Sequence, residues 1–366
     1  MEVHREVVGM WGMILAVLST LLLFWHKLSF PKGKRKNTEM YTLIIPARNE
    51  AENLKRLLPT LVSTEPQREI IVVDDDSEDS TKGVAESFGV KVVDNPPLPP
   101  GWVGKSWACY NGAKAAKGKT LVFLDADTWF SDGGADRLVN AFDGEGSVLT
   151  VHPYHEMRSF WEKLSGVFHL VVIASSGLTT VLKDKLGTQG GFGPCLVIAA
   201  DTYWKLGGHE AIRGEIVEHL AFTRLAASKG LKTKAYSGCG VLNMRMYEAD
   251  LKQVIEGWAK SFSTGAKTAS PIMTMANVVW LTAVLSFLIN LPVLGLWGAA
   301  GYVALAVLVH RTWAGIGNFK WYDALLFPLH FSFFVFVFAY SLWKTFFVRQ
   351  TTWKGRSIVD KKRSSS

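Results

Sequence analysis

The stretch Lys119–Trp129, KTLVFLDADTW, carries a run of buried-type residues into two carboxylates, Asp125 and Asp127. Alternate residues of an extended chain face the same way. The pair is therefore expected to aim at one spot beyond the C-terminal end of a strand, where open α/β sheets bind ligands. Two carboxylate oxygens there, facing a phosphate, suit a hard divalent cation such as Mg2+ or Mn2+. A D-x-D pair alone is equally an ordinary polar strand ending. Three further segments bear on the choice. Pro46-Ala47-Arg48-Asn49-Glu50 follows one apolar run, Asp74-Asp75-Asp76 follows a second, and Lys105 lies in a loop with Gly101, Trp102 and Gly104. Lys105 can add a point charge to a phosphate. No G-x-x-x-x-G-K-[ST] occurs and no G-x-G-x-x-G follows the first strand. P-loop kinases and ordinary Rossmann dehydrogenases are thus unsupported.

The elements that must position these residues lie between Glu39 and about Gly146. Apolar patterning predicts strands over 41–45, 69–73, 90–93 and 120–124, and helices over 52–61, 80–88 and 108–117. This alternation implies an α/β fold, a mostly parallel sheet with helices on both faces. Right-handed crossovers bring every strand's C-terminal end to one edge. The Pro46 segment, the Asp74 cluster and the Asp125/Asp127 pair should share it. Beyond them, 158–183 reads either as a core helix pair or as an interfacial helix with Trp161, Phe168 and Val172 in lipid. Helices are also expected over 215–228 and, amphipathic, over 251–264.

The 366 residues carry a net charge of +8, with 48% hydrophobic and 12% aromatic content including 14 Trp. That is apolar for a soluble enzyme, and the basic residues flank the apolar runs, which points to anionic lipid headgroups. No nucleic-acid signature is present. Cys109, Cys195 and Cys239 show neither metal spacing nor a disulfide framework, as in a reduced cytosolic domain. Val7 to Trp25 is uncharged and close to the roughly 20 residues of a membrane-crossing helix. The Lys27–Lys36 basic run behind it places the following domain in the cytoplasm. Uncharged 268–309 suits two spans split near Asn290-Leu291-Pro292, and 324–343 is a third apolar run. Three C-terminal spans would put the basic tail outside, against the positive-inside rule; a re-entrant or interfacial last run keeps it inside.

The set I-I-P-A-R-N-E at 44–50, V-V-D-D-D-S-E-D-S-T at 72–81, G-K-S-W-A at 104–108 and L-D-A-D-T at 124–128 resembles the inverting family-2 glycosyltransferases of GT-A fold. P-L-P-P-G-W-V-G-K-S-W-A-C, the flanking spans and the terminal T-W-K-G-R narrow the resemblance to membrane-bound lipid glycosyltransferases, closest to the bacterial carotenoid (4,4'-diaponeurosporenoate) glycosyltransferases. It implies a transmembrane helix over 1–26, a basic linker over 27–38, a GT-A domain over 39–265, a C-terminal membrane region over 268–347 and a basic tail over 348–366. It also implies a multi-pass membrane enzyme moving a hexose, glucose foremost, from a UDP-sugar to a lipid, with the supplying pathway enzymes as further partners.

By position, the resemblance places Pro46, Ala47, Asn49, Glu50, Asp74 and Asp75 in the nucleotide pocket and Lys105 near the diphosphate. Asp127 becomes the main metal ligand, Asp125 a second ligand near the ribose or sugar, and Gly207-Gly208 the glycine pair under the sugar. Gln253 and Trp258 sit where the family's Q-x-x-R-W acceptor helix is expected, but Glu256 and Gly257 replace the arginine and the spacing is one residue longer. The family's Glu-Asp, whose aspartate is the general base, reads Glu218-His219 here. An alcohol acceptor needs a base, whereas a carboxylic acid is already ionised near neutral pH. The expectation is therefore a lipid carboxylate acceptor oriented by His219, most plainly a carotenoid acid. The alternatives are a packed His219 with Glu218 as base for a lipid hydroxyl, and, outside enzymes, a membrane scaffold or transporter.

Overall fold

The structure, a computed structural model, describes residues 2–31, 38–62, 67–186, 191–265, 270–344, 351–353 and 356–358. Residues 32–37 of the basic linker and all of the basic tail except 351–353 and 356–358 lie outside the described residues.

The chain begins with α1 (Glu2–Leu23), β1 (Tyr41–Ala47), α2 (Ala51–Leu57), β2 (Arg68–Asp74), α3 (Thr81–Ser87), β3 (Lys91–Asp94), α4 (Gly104–Ala115) and β4 (Thr120–Leu124). There follow β5 (Thr128–Phe130), α5 (Gly134–Asn140), β6 (Ser147–His152), β7 (Tyr154–His155), α6 (Phe160–Lys163), α7 (Gly166–Ser176) and α8 (Lys183–Leu186). Next come β8 (Cys195–Ala199), α9 (Ala200–Lys205), α10 (Glu218–Ser228), β9 (Lys232–Ser237) and β10 (Leu242–Met244). Five helices follow, α11 (Leu251–Gly265), α12 (Pro271–Asn290), α13 (Gly295–Trp313), α14 (Trp321–Leu325) and α15 (Phe327–Trp343), and then an antiparallel strand pair, β11 (Thr351–Trp353) and β12 (Arg356–Ile358).

Seven strands form one sheet in the order β3-β2-β1-β4-β8-β6-β9, and β5, β10 and β7 form a small second sheet. β1 to β4 are parallel, as expected, while β8 runs against both β4 and β6. The central strands β4, β6 and β8 are buried along their whole length, which is why they read as continuous apolar runs. Leu43, Val122 and Val197 face one core; Ile44, Phe123 and Ile198 face another, shared with Cys109 of α4 and Phe222 of α10. Pro46 fits inside β1 because β4 pairs with β1 only as far as Ile44, so that side of the ladder has ended.

Three local expectations change. The helix over 52–61 stops at Leu57 and tightens into a 3-10 turn at Leu58–Thr60, since Pro59 cannot continue an α-helix. α4 begins at Gly104, so Lys105 stands in a first helical turn rather than a loop. Asp125 to Thr128 is a turn closed by Thr128 N–H on the Asp125 carbonyl at 3.3 Å, not an extended strand end.

Val3–Leu23 and Pro271–Val293 are long and apolar enough to cross a membrane. They pack antiparallel: Gly9 lies against Asn290, Gly12 against Ser286, and Trp280 Nε1 donates to Thr20 Oγ1 at 2.9 Å. After the turn at Pro292, α13 returns until Arg311 donates to the Trp25 carbonyl at 2.8 Å. α15 takes a different course, along α7 and α11. Phe334 packs on Phe168 with centroids 5.1 Å apart, Ser341 donates to the Ala259 carbonyl at 2.7 Å, and Tyr340 and Lys344 donate to Glu256 at 2.8 and 2.5 Å. The 158–183 segment is broken into short helices, and Phe168 belongs to the core rather than to lipid: it is fully buried and stacks on Trp258 at 4.7 Å. Trp161 and Val172 are each 37% exposed.

Candidate functional site

Backbone bonds tie the first three strand ends together beyond their ladders. Asp75 N–H donates to the Ala47 carbonyl at 2.8 Å and Asn95 N–H to the Asp74 carbonyl at 2.9 Å. Asn49 takes φ +55, which asparagine tolerates better than most residues. Its N–H donates to Ser77 Oγ at 3.0 Å and its Oδ1 accepts from Glu78 N–H at 2.8 Å. Glu50 N–H donates to Thr81 Oγ1 at 2.8 Å. Pro46, Ala47, Asn49 and Glu50 are thus locked to the loop that carries Asp74 and Asp75. Asp75 accepts from Asn95 Nδ2 at 2.7 Å, while Arg48 donates to its carbonyl at 2.9 Å. The start of α4 closes on the same carboxylate: a Cβ on Gly104 would stand 3.0 Å from Asp75 Oδ2.

Asp74 Oδ1 and Asp127 Oδ1 are shielded from solvent without a hydrogen-bond partner among the described residues. Such an atom costs about 1–3 kcal/mol. Burial, then Asp125 and Glu50, push the Asp127 carboxyl up to about 7. Crowded carboxylate oxygens with an unsatisfied member fit a hard divalent cation, and the donor set holds no nitrogen or sulfur that would favour a softer ion.

Lys105 is the hub. Its Nζ lies 2.5 Å from Asp125 Oδ1 and 2.5 Å from Glu218 Oε1. Burial pulls its pKa down, yet Asp125 and Glu218 outweigh that and hold it above the usual lysine range. A cation in the first turn of a helix opposes the helix dipole, so these carboxylates are needed to keep it there. The expected helix over 215–228 begins only at Glu218, which sets that carboxylate at the favourable end of α10. Burial alone would raise the Glu218 pKa; Lys105 and then His219 lower it to about 2.

His219, expected to orient an acceptor, lies in the core. It is fully buried among Phe123 and His209, and its Nδ1 is bonded to the Gly193 carbonyl. Gly207 and Gly208 take φ of +86 and +57 and bring His209 under β4, where it packs on Phe123 at 4.8 Å. Gln253 and Trp258 do not converge on the site. Gln253 is exposed and accepts from Ala249 N–H at 3.0 Å, whereas Trp258 is buried and donates to Ser165 Oγ at 2.9 Å. Glu256, standing where arginine is expected, accepts from Tyr340 and Lys344 instead.

Tyr247 carries no sequence signal, yet it reaches the site. Burial and the charge of Asp127 raise its phenol pKa, and its ring fills the space where a side chain at Gly257 would stand. That contact explains the glycine. Asn95 and Cys109 also escape a motif search, because only the fold brings them to the strand ends and to α10.

The family model described as glycosyl transferase family 2 matches residues 42–207. A 4,4'-diaponeurosporenoate glycosyltransferase of Staphylococcus aureus (strain USA300) is 31% identical over 336 residues, 87% of this chain and 88% of that protein. The enzyme of the same name from strain MRSA252 is 32% identical over 334 residues, with coverage of 87% and 88%. Among solved structures, the mannosyltransferase PcManGT from Pyrobaculum calidifontis, in complex with GDP-Man and Mn2+, superposes with a TM-score of 0.51 at 14% identity, covering 93% of this chain and 99% of that one. Its fold likeness extends beyond the sheet domain into the terminal helices. Strand ends, carboxylate pair and sequence kinship agree: the chain is a GT-A-fold member of glycosyl transferase family 2, akin to the bacterial 4,4'-diaponeurosporenoate glycosyltransferases.

Proposed function

We propose that the enzyme moves a hexose, glucose foremost, from a uridine diphosphate sugar to the carboxylate of an apolar lipid acid, forming a glycosyl ester with inversion. One observation carries the reading: Glu218 is held by Lys105 as a weak base, and position 219 offers a buried imidazole where a second carboxylate would stand. The curated relatives' name, which specifies a carotenoid carboxylate, supports it.

The acceptor oxygen attacks the anomeric carbon as the bond to the diphosphate breaks, and the diphosphate leaves with the electron pair. Asp74, Asp75, Asn49 and Glu50 hold the nucleotide, and Lys105 stands where negative charge grows on the leaving oxygen. Asp127 and Asp125 would hold Mg2+ or Mn2+, which when bound neutralises the diphosphate. α1 and α12 anchor the enzyme, with the site facing the cytoplasm. α15, running along α7 and α11, lies in the interface, which leaves the basic tail on that same side.

The test is the bond formed. Membranes containing the enzyme, UDP-glucose and a C30 carotenoid acid should yield a product that mild alkali hydrolyses. An alkali-stable product would reassign Glu218 to deprotonating a lipid hydroxyl.

A further inference from the structure

We propose that Cys109, His209 and His219 form a buried zinc site directly beneath Glu218, separate from the oxygen-lined cation site at Asp125 and Asp127. The three residues come from α4, the turn after Gly207-Gly208, and α10. One ligand atom of each lies within 4.8 Å of the other two, and all three residues are fully buried.

The hydrogen bonds around the rings carry the inference. His219 Nδ1 is bonded to the Gly193 carbonyl, which can only accept. That fixes the proton on Nδ1 and leaves a lone pair on Nε2. His209 Nδ1 lies 2.9 Å from the Tyr203 hydroxyl, which leaves Nε2 as the ring nitrogen open to a ligand. Both Nε2 atoms are sealed from solvent and have no hydrogen-bond partner among the described residues. The ring faces meet Phe123 and Phe222, which supply no donor. Packing alone therefore leaves a lone pair facing an apolar shell. A metal ion satisfies both nitrogens, and the outer partners on Nδ1 match how ligating histidines are usually held.

Two imidazoles and a thiolate select a borderline ion such as Zn2+ over Mg2+ or Mn2+. Zinc draws its ligand atoms to about 3.5 Å from one another, inside the 4.8 Å within which they now lie. The ion would clamp the first turn of α10 to α4, and so fix the separation of Lys105 and Glu218. The site holds whichever acceptor the enzyme uses.

The test uses the full-length chain, purified in detergent after growth in cobalt-supplemented medium and dialysed against EDTA. We expect retained cobalt with a near-ultraviolet sulfur-to-cobalt charge-transfer band, lost in Cys109→Ser and kept in Cys239→Ser. The nearby cluster of His152, His155 and His169 contains no sulfur and cannot give that band. Zinc-edge X-ray absorption on the unaltered protein is the second readout, and one sulfur in the coordination shell is expected. No thiolate band, a band that survives Cys109→Ser, or a shell of nitrogen and oxygen alone would overturn the proposal.

Discussion

The Lys105 ammonium lies 2.5 Å from the Glu218 carboxylate while holding Asp125 at the same distance, so one cation joins the turn after β4 to the first residue of α10. A carboxylate in that grip is poorly suited to take a proton. A positioned general base contributes about 100- to 10,000-fold. With a carotenoid acid as acceptor, Glu218→Gln should therefore lower kcat by less than about tenfold. A loss beyond about a hundredfold in steady-state assays would identify Glu218 as the base.

Asp127→Asn should weaken Mn2+ binding and lower kcat/KM by at least about a hundredfold, as expected when several kcal/mol of charge stabilisation is removed. Because burial and its acidic neighbours push the Asp127 carboxyl up to about 7, the cation must displace a proton below that pH. Mn2+ affinity should fall as pH drops from 8 to 6, by up to about tenfold per unit below 7. Manganese EPR titrations with affinity unchanged over that range would contradict this.

Glu162 links α6 to the strand end after β10 through Arg245, whose Nη2 and Nε donate at 2.8 and 3.1 Å. Burial raises the Glu162 pKa, but Arg245 and Ser159 lower it more, so the net shift is downward. A depressed carboxyl contributes stability above its unfolded pKa of about 4.3, and that stability disappears as pH falls through the folded value. Glu162→Gln should cost about 1–3 kcal/mol near pH 7, with the gap in Tm from the unaltered protein closing toward pH 4 and below. A gap independent of pH would assign the loss to packing.

Gly257→Ala would place a Cβ 2.1 Å from Tyr247 Cε1. Overpacking of this kind costs about 1–3 kcal/mol. Since Tyr247 neighbours Asp127, the donor KM should rise as well. Adding Tyr247→Ala should restore much of the Tm by removing the clash, while Tyr247→Phe should not, because the ring remains. Thermal unfolding of the three variants separates these outcomes.

Strand-end logic made the gathering of these residues at one sheet edge legible. Pro46, Asn49, Glu50, Asp74, Asp75, Asp125 and Asp127 follow apolar runs, and parallel βαβ units carry such residues to one edge whatever the details of packing. Side-chain direction was not legible. His219 and Glu218 are adjacent, but on a helix adjacent residues point about 100° apart. Only the packing of α10 on Phe123 sent the imidazole inward and left the carboxylate at Lys105.

The sequence by itself determined the parallel β1–β4 part of the sheet, the carboxylate pair at the end of β4 and the apolar helices at both ends. These depend on local period and composition, which neighbouring residues suffice to encode. The tertiary structure alone decided that Asp125 and Asp127 meet through a turn, that Lys105 bridges to Glu218, that α15 runs along α7 and α11, and that Cys109 meets His209 and His219. Each of those relationships joins residues tens of positions apart or more, or depends on which way a backbone turns. Such contacts form only when burial of the intervening chain makes them cheaper than solvent.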